Sequence, residues 1–150
     1  MVINIRRSRP DEGDKLIAIW CRSVDATHDF LSKAYRKELE EMVRAFLPEA
    51  PLWVAVNTED QPIAFMLLTG DHMDALFVDP DVRGCGVGRL LIEHALSLTP
   101  KLTTNVNEQN EQAVGFYQKM GFRVTGRSET DDLGHPYPLV NLIPVEPADA

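Results

Sequence analysis

The sequence has little cysteine and no long hydrophobic run, and both shortages restrict what the protein can be. Its two cysteines, Cys21 and Cys85, lie far apart, so they provide neither a disulfide framework nor metal-site spacing. No apolar run approaches the roughly 18 residues that a membrane span requires. The basic residues before Pro10 are not followed by an apolar segment, which argues against a signal peptide. We therefore expect a cytoplasmic protein that does not associate with a membrane.

Basic residues and histidines are also few. The 15 Lys and Arg residues against 23 Asp and Glu residues give a net charge of −8, which disfavours nucleic acid as a partner. An acidic surface is compatible with a cationic substrate such as an amine, although it also serves solubility alone. The four histidines show no ligand spacing, so no metal is expected; they are His28, His72, His94 and His135.

The length of 150 residues suits one domain over 1–150, whose acidic tail at about 146–150 we expect to fray. Apolar periodicity predicts the element order β α α β β β α β α β β. The early strands should be antiparallel, whereas a middle pair is joined through a helix and should be parallel. The predicted fold class is therefore mixed α/β, a single layered domain rather than a doubly wound sheet.

The sequence pattern predicts where each strand and helix begins and ends. Strands are expected at 2–6, 52–56, 63–68, 75–78, 102–106, 122–126 and 137–145. Residues 24–31 lack clean periodicity and should bend between two helices. Helices are expected from Ser8 or Pro10 to about Ser23, from Tyr35 to Leu47, from Val87 to Leu98, and from the 107–110 segment to Gly121.

A glycine-rich turn separates the strand that ends at Val78 from the helix that begins at Val87. Its glycines allow a tight turn and close approach of a ligand, and the unpaired N–H groups of the helix start favour an anion such as phosphate. Arg83 and Arg89 add charge and donors. The spacing fits neither a nucleoside-triphosphate loop nor a dinucleotide fingerprint. The alternative is a turn with only a structural role.

Two motifs give the turn a more specific meaning. Arg83, Gly86 and Gly88 occupy the fixed positions of the acetyl-coenzyme A motif Gln/Arg-x-x-Gly-x-Gly/Ala of the GNAT N-acetyltransferases. The segments Asn110-x-x-Ala113-x-x-x-Tyr117 and Lys119-Met120-Gly121-Phe122 resemble that family's second signature. The order of elements also matches, so the chain resembles a GNAT N-acetyltransferase over its whole length.

The resemblance implies that acetyl-coenzyme A lies between the strands ending at Val78 and Val106. Backbone groups of Leu76, Phe77 and Val78 would hold the pantetheine arm, and the phenol of Tyr117 would protonate the departing thiolate. The resemblance assigns the pyrophosphate and neighbouring parts of the cofactor to Arg83, Gly84, Cys85, Gly86, Val87, Gly88, Arg89, Asn107 and Asn110.

The resemblance leaves the identity of the general base open. Several relatives carry an acid where this chain has Asn105, and an amide does not usefully accept a proton. The candidates are His72 and Asp74, on the strand leading to Val78, and Glu108. The amine could also lose its proton to water through a polar channel.

The acceptor is also open. His28 and Phe30 lie in the segment that covers the acceptor site in this family, so the resemblance makes them candidate substrate-wall residues. A protein lysine, a protein N-terminus and a small amine all remain possible acceptors. The expected function is direct acetyl transfer to a primary amine in a ternary complex. A non-catalytic acyl-coenzyme A sensor and a plain interaction domain are the alternatives.

Overall fold

A computed structural model describes residues 2–145, which form a seven-stranded mixed sheet with helices on both faces. The strand order across the sheet is β1-β2-β3-β4-β5-β7-β6. The observed elements confirm the predicted fold class, and the predicted tail at 146–150 lies outside the described residues. The strands are β1 (Asn4–Arg7), β2 (Trp53–Val56), β3 (Pro62–Thr69), β4 (His72–Val78), β5 (Thr103–Asn107), β6 (Phe122–Ser128) and β7 (Leu139–Pro144). The helices are α1 (Gly13–Thr27), α2 (Lys33–Phe46), α3 (Val87–Leu98) and α4 (Glu111–Lys119).

The sheet pairing agrees with the predicted connections. β2 and β3 form the antiparallel hairpin expected from their short connection, and β4 pairs antiparallel with β3. β4 and β5 are parallel because the α3 crossover joins them. Among residues 2–145, no helix has the length and apolar composition to cross a membrane.

The alternating side chains of the central strands build a core on each face of the sheet. On one face, Phe65 packs with Leu16 and Trp20 of α1. On the other face, Met66 and Met73 pack with the apolar stripe of α3, and Tyr117 of α4 joins them. Because β4 lies between these layers, its side chains alternate between the α1 side and the α3–α4 side.

Helix α1 is longer than the sequence pattern predicts. Instead of ending near Ser23, it continues to Thr27, because Val24 extends the buried stripe and is only 3% exposed. The Thr27 hydroxyl donates to the Ser23 carbonyl at 2.8 Å, and the His28 N–H closes the helix on the Val24 carbonyl at 2.8 Å. His28 therefore stands at the C-terminal end of a helix rather than within a loop.

A buried carboxylate holds the start of the chain to the sheet. Glu12, 4% exposed, accepts from Arg6 Nη2 at 2.7 Å and from the Arg9 N–H at 2.8 Å. The Arg6 guanidinium therefore holds the pKa of Glu12 below its ordinary value. A carboxylate with a lowered folded-state pKa stabilises the fold above its ordinary pKa, and this contribution disappears as the pH falls through the folded-state pKa.

We expect Glu12→Gln to lower the free energy of unfolding by roughly 2 kcal/mol at neutral pH, since charged hydrogen bonds are lost from a buried site. Urea unfolding at neutral pH and at about pH 3 measures this effect, and the difference from the unmodified protein should shrink in acid. Glu59→Gln is the matched control, because Glu59 is exposed and its carboxylate is not paired within residues 2–145. A loss of the same size at both pH values would contradict an ionic contribution.

Candidate active site at the gap between β4 and β5

The sheet opens into a gap where β4 and β5 separate. The two strands are neighbours only at His72 with Thr103 and at Met73 with Thr104. A one-residue bulge at Asp74 follows, because Met73 faces Leu68 and Ala75 already faces Leu67. Beyond it, β4 stays with β3 as far as Val78, whereas β5 continues along β7 to Asn107. The gap therefore has β4 on one side and β5 on the other.

Backbone groups of β4 line this gap. The Asp79 N–H donates to the Ile63 carbonyl at 2.9 Å, and Val78 lies opposite Ala64. Because backbone polar groups alternate sides along an antiparallel strand, those of Leu76 and Val78 point away from β3 and into the gap. Phe77 differs from the expectation from sequence: its backbone groups face β3, and its side chain is what reaches the cavities described below.

The glycine turn leads from β4 to the start of α3. Gly84 and Gly86 have φ angles of +86° and +81°, which residues with a Cβ rarely adopt. Gly86 is the N-cap residue of α3 and has no side chain to bond the first N–H groups. Within residues 2–145, the N–H groups of Gly84, Gly86, Val87 and Gly88 have no acceptor in the protein. The turn therefore presents unpaired donors at a helix N-terminus, where an anion is stabilised.

An ion pair supports the turn from α1. Arg22 Nη2 lies 2.5 Å from Asp79 Oδ2, and Asp79 Oδ1 also accepts from the Asp81 N–H at 3.1 Å. These bonds hold the pKa of Asp79 below its ordinary value although burial acts in the opposite direction. Asp79 therefore stays ionised and joins the end of β4 to α1.

A cavity of about 370 Å³ extends from the turn to α4. It contains most of the predicted cofactor residues together with Tyr117 and His28. Its walls are Ser23, Thr27, His28, Leu76, Phe77, Val78, Val82, Arg83, Gly84, Gly86, Val87, Gly88, Arg89, Asn110, Gln112, Ala113, Phe116 and Tyr117. We call it the coenzyme cavity. The glycine turn, the gap-facing edge of β4 and Tyr117 therefore border one space.

Tyr117 is the buried acid candidate of this cavity. It lies on α4, is 5% exposed, and packs edge-on against Phe116 and Phe122. Burial raises the pKa of Tyr117 above its ordinary value, because the phenolate form would lose its solvation. The phenol therefore carries its proton at neutral pH, as a general acid requires.

Three of the predicted cofactor residues lie in three different environments. Asn110 lines the coenzyme cavity, but its side chain also caps α4 by accepting from the Ala113 N–H at 3.2 Å. Cys85 is exposed outside the cavity wall, and its N–H donates to the Val82 carbonyl at 3.2 Å. Asn107 does not reach this cavity and lines a second one instead.

The second cavity, of about 290 Å³, lies on the α1–α2 side of the gap. It shares His28 and Phe77 with the coenzyme cavity, so the two spaces meet at these residues. We call it the acidic groove because three aspartates stand among its apolar walls. The walls are Trp20, Val24, His28, Leu31, Tyr35, Leu39, Val43, Asp74, Phe77, Asn105, Asn107, Asp131, Asp132, Leu133 and Leu139.

Sequence reasoning misses Tyr35, Asp131 and Asp132 as residues of this site, because the local pattern around the two aspartates indicates only a polar turn. Yet Asp131 accepts the hydroxyl hydrogen bond of Tyr35, which lies 96 residues away in the chain. Asp131 Oδ1 also accepts from the His135 N–H at 2.9 Å, so it organises its own loop. No local pattern signals a contact between segments so distant in sequence.

Stacked rings close the groove beside these aspartates. Tyr35 packs between His135, with centroids 4.1 Å apart, and Tyr137, at 5.0 Å. Phe30 packs between Tyr137 at 6.1 Å and His28 at 5.3 Å. Phe30 lines neither cavity, although the sequence predicts it as a substrate-wall residue. Its contact with His28 instead supports that ring.

The predicted bases also occupy different places. His72 lines neither cavity; its Nδ1 lies 2.7 Å from Thr103 Oγ1, where β4 and β5 are still paired. Asp74 lines the acidic groove and accepts the Thr69 hydroxyl. Glu108 lines neither cavity, and two hydrogen bonds from Arg127, at 2.6 and 3.1 Å, hold its pKa below the ordinary value. Of the three, only Asp74 stands where an acceptor could lie.

Comparisons with known proteins identify this arrangement. Residues 12–136 match the acetyltransferase (GNAT) domain family. The chain is 79% identical over 142 residues to the peptidyl-lysine N-acetyltransferase YjaB of Escherichia coli strain K12, covering 95% of this chain and 97% of that protein. The solution structure of apo YjaB from Escherichia coli superposes with a TM-score of 0.94 at 78% identity, over 97% of this chain and 99% of the other.

A more distant structure shows the same fold with its cofactor. It is the PaiA N-acetyltransferase of Thermoplasma acidophilum in complex with coenzyme A, with a TM-score of 0.76 at 19% identity over 94% of this chain and 98% of the other. The family model and the 79%-identical relative confirm the predicted resemblance and enzyme class. The chain belongs to the GNAT family and is an N-acetyltransferase.

Proposed function

We propose that this enzyme transfers the acetyl group of acetyl-coenzyme A to the side-chain amine of a protein lysine. The observation that carries the proposal is the meeting of the coenzyme cavity with the acidic groove at His28 and Phe77. The name of the 79%-identical relative, a peptidyl-lysine N-acetyltransferase, supports the same acceptor class. Cys21 and Cys85 are free thiols, which suits the cytoplasm, where we propose that the enzyme works.

The residues of the coenzyme cavity fit this cosubstrate, which supplies the thioester. The unpaired N–H groups of Gly84, Gly86, Val87 and Gly88, with Arg83 and Arg89, would hold the pyrophosphate. The gap-facing backbone groups of Leu76 and Val78 would pair with the pantetheine amides as an added strand does. The Val78 N–H would also polarise the carbonyl and stabilise negative charge that develops on its oxygen.

Tyr117 supplies the acid step. Tyr117 lines the coenzyme cavity and retains its proton, so it can donate that proton to the sulfur as the C–S bond breaks. Protonation prevents the thiolate from attacking the new amide. Asn110, which is held as the cap of α4, would help to orient the cosubstrate beside Tyr117.

The acidic groove suits a cationic acceptor. Asp74, Asp131 and Asp132 face a space whose other walls include Trp20, Tyr35 and apolar side chains. Carboxylates attract the ammonium and neighbouring basic residues, while the apolar walls can pack the four-carbon stem of a lysine. A channel of this composition favours a lysine side chain over an acidic or a bulky neutral acceptor.

A single assay separates the acceptor classes and the alternative functions. The protein is incubated with acetyl-coenzyme A and one of three acceptors: an Nα-acetylated lysine peptide, a lysine-free peptide with a free N-terminus, or spermidine. Release of thiol and the acetylated product are followed by colorimetry and mass spectrometry. We expect turnover with the lysine peptide above the other two. Tight binding of acetyl-coenzyme A with no turnover on any amine would instead indicate a sensor.

We expect Asp132→Asn to raise the KM for a lysine peptide with basic neighbours by about three- to fivefold, since a rim charge contributes up to about 1 kcal/mol. The kcat and the affinity for acetyl-coenzyme A should stay unchanged, and the effect should shrink at high salt. Asp11→Asn is the matched control, because Asp11 is exposed and lines neither cavity. An unchanged KM at low salt would show that Asp132 takes no part in acceptor recognition.

A further inference from the structure

We propose that His28 is the general base that deprotonates the acceptor amine, an inference that rests on the proposed function. Asp74 and Asn105 line the acidic groove only, and Tyr117 lines the coenzyme cavity only. His28 and Phe77 line both, and of these two only His28 can take up a proton. A base for this reaction must reach the amine at the point where the amine meets the thioester carbonyl.

The hydrogen bonds of Thr27 set the tautomer of His28. Thr27 Oγ1 lies 2.8 Å from the Ser23 carbonyl oxygen and 2.7 Å from His28 Nδ1. A hydroxyl has one proton, and a carbonyl oxygen can only accept, so that proton goes to Ser23. Thr27 Oγ1 must then accept from His28, which places the ring proton on Nδ1. The lone pair of a neutral His28 therefore resides on Nε2.

Nε2 of His28 is both unpaired and open. Within residues 2–145, no protein group hydrogen-bonds to this nitrogen. Among the side-chain nitrogen and oxygen atoms of residues 2–145, His94 Nε2 is the one that has neither solvent contact nor a hydrogen bond. His28 Nε2 also lacks a hydrogen bond but does not share this burial, so it contacts accessible space. Because His28 lines both cavities, we place this open nitrogen where they meet, with the lone pair that a base needs.

The surroundings keep His28 neutral and ready to accept a proton. Burial lowers the pKa of His28 below its ordinary value, while the neighbouring Asp29 acts in the opposite direction. Phe30 packs on the ring with centroids 5.3 Å apart and restrains it. Carbonyls at the C-terminal end of α1 would stabilise the imidazolium once it forms. The other titratable groups around the two cavities are Tyr35, Asp74, Asp131 and Asp132 in the groove, and Arg83, Arg89 and Tyr117 in the coenzyme cavity.

The protons of the reaction balance with two groups. His28 Nε2 removes one proton from the acceptor ammonium and passes it to solvent. The freed nitrogen pair forms the N–C bond, the C–S bond breaks, and Tyr117 gives its proton to sulfur. The acetylated nitrogen then loses a second proton, which replaces the proton that Tyr117 gave to sulfur. The third proton remains on the amide.

The test is the pH dependence of kcat/KM for an Nα-acetylated lysine peptide. In the unmodified enzyme, kcat/KM should rise with pH and then reach a plateau. The rising part of the profile, its acidic limb, should lie below about pH 6.5, the ordinary pKa of histidine. His28→Asn retains a donor near the Nδ1 position for Thr27 but has no base. We expect its kcat/KM to fall about 10²-fold or more at neutral pH, and to climb tenfold per pH unit toward the pKa of the amine.

Three further arms distinguish a base from a structural role. A peptide with the less basic thia analogue of lysine should lose less activity in His28→Asn, because more of its amine is already free. His28→Gln should behave as His28→Asn does, and the Kd of both variants for acetyl-coenzyme A should match the unmodified enzyme. His72→Asn is the rival variant, and it should keep the acidic limb and the plateau.

The outcomes separate the two proposals. If the unmodified enzyme binds acetyl-coenzyme A but acetylates no lysine peptide at any pH, the proposed function fails and the base assignment fails with it. If it acetylates the peptide and His28→Asn keeps both its rate and its acidic limb, only the base assignment is overturned. Loss of the limb in His72→Asn alone would overturn it in favour of His72.

Discussion

Tyr117→Phe should reduce kcat by a factor of about 10² to 10⁴, the range that a positioned general acid contributes. The substitution removes one oxygen from a ring that is 5% exposed and packed between Phe116 and Phe122, so the core should tolerate it. Steady-state kinetics with a lysine peptide and a binding titration with acetyl-coenzyme A measure the effect. We expect the Kd for acetyl-coenzyme A to change by no more than a few-fold.

The leaving group provides the sharper control for Tyr117. An acetyl thioester of an acidic aryl thiol expels a thiolate that needs no protonation, so Tyr117→Phe should lose far less activity on it than on acetyl-coenzyme A. Tyr137→Phe is the matched control, because it removes the same oxygen from a ring outside the coenzyme cavity. We expect its ratio of activities on the two thioesters to equal that of the unmodified enzyme. Equal losses of Tyr117→Phe on both thioesters would show that the phenol is not the acid.

Much of the fold could be predicted because local signals and long-range packing agree. Helix α3 begins and ends where expected, at Val87 and Leu98, since the glycine turn marks its start and its apolar stripe covers the sheet. The parallel pairing of β4 and β5 follows from the crossover length alone. The same turn carries the motif, so the part of the fold that the sequence predicts most accurately also holds the proposed pyrophosphate site.

Most of the acidic groove could not be predicted, because it is assembled from segments that meet only in the folded chain. The bulge at Asp74 changes which face each residue of β4 presents, and a bulge has no dependable sequence signature here. The contact between Tyr35 and Asp131 spans 96 residues. The position of His28 depends on one further turn of α1, which tertiary burial of Val24 extends beyond the local pattern.

The two sides of the site are therefore built on different principles. The proposed coenzyme side would use backbone N–H groups whose directions are set by the φ angles of a few residues, so side-chain identity would matter mainly through backbone freedom. The proposed acceptor side would use charged and aromatic side chains from four separate segments: α1 with its C-cap, α2, β4, and the loop between β6 and β7. A change in the glycine turn should consequently affect the cosubstrate and leave acceptor recognition intact.

Gly86→Val provides that test, and we expect it to raise the Kd for acetyl-coenzyme A by about 10- to 100-fold, where each tenfold step equals about 1.4 kcal/mol. Gly86 has a φ of +81°, which a β-branched residue strongly resists, although no atom lies within 4 Å of the position that a Cβ would take there. The cause is therefore backbone strain, and relief of that strain would turn the N–H groups of the turn away from a common anion.

Gly134→Val is the matched control for this variant. Gly134 also has a φ of +81° and open space around its Cβ position, but it lies in the loop between β6 and β7. Both variants should lose comparable free energy of unfolding, while only Gly86→Val should bind acetyl-coenzyme A weakly. Acetyl-pantetheine lacks the pyrophosphate, so Gly86→Val should use it about as well as the unmodified enzyme does. An equal loss on acetyl-pantetheine would place the damage in the thioester site and contradict a pyrophosphate role for the turn.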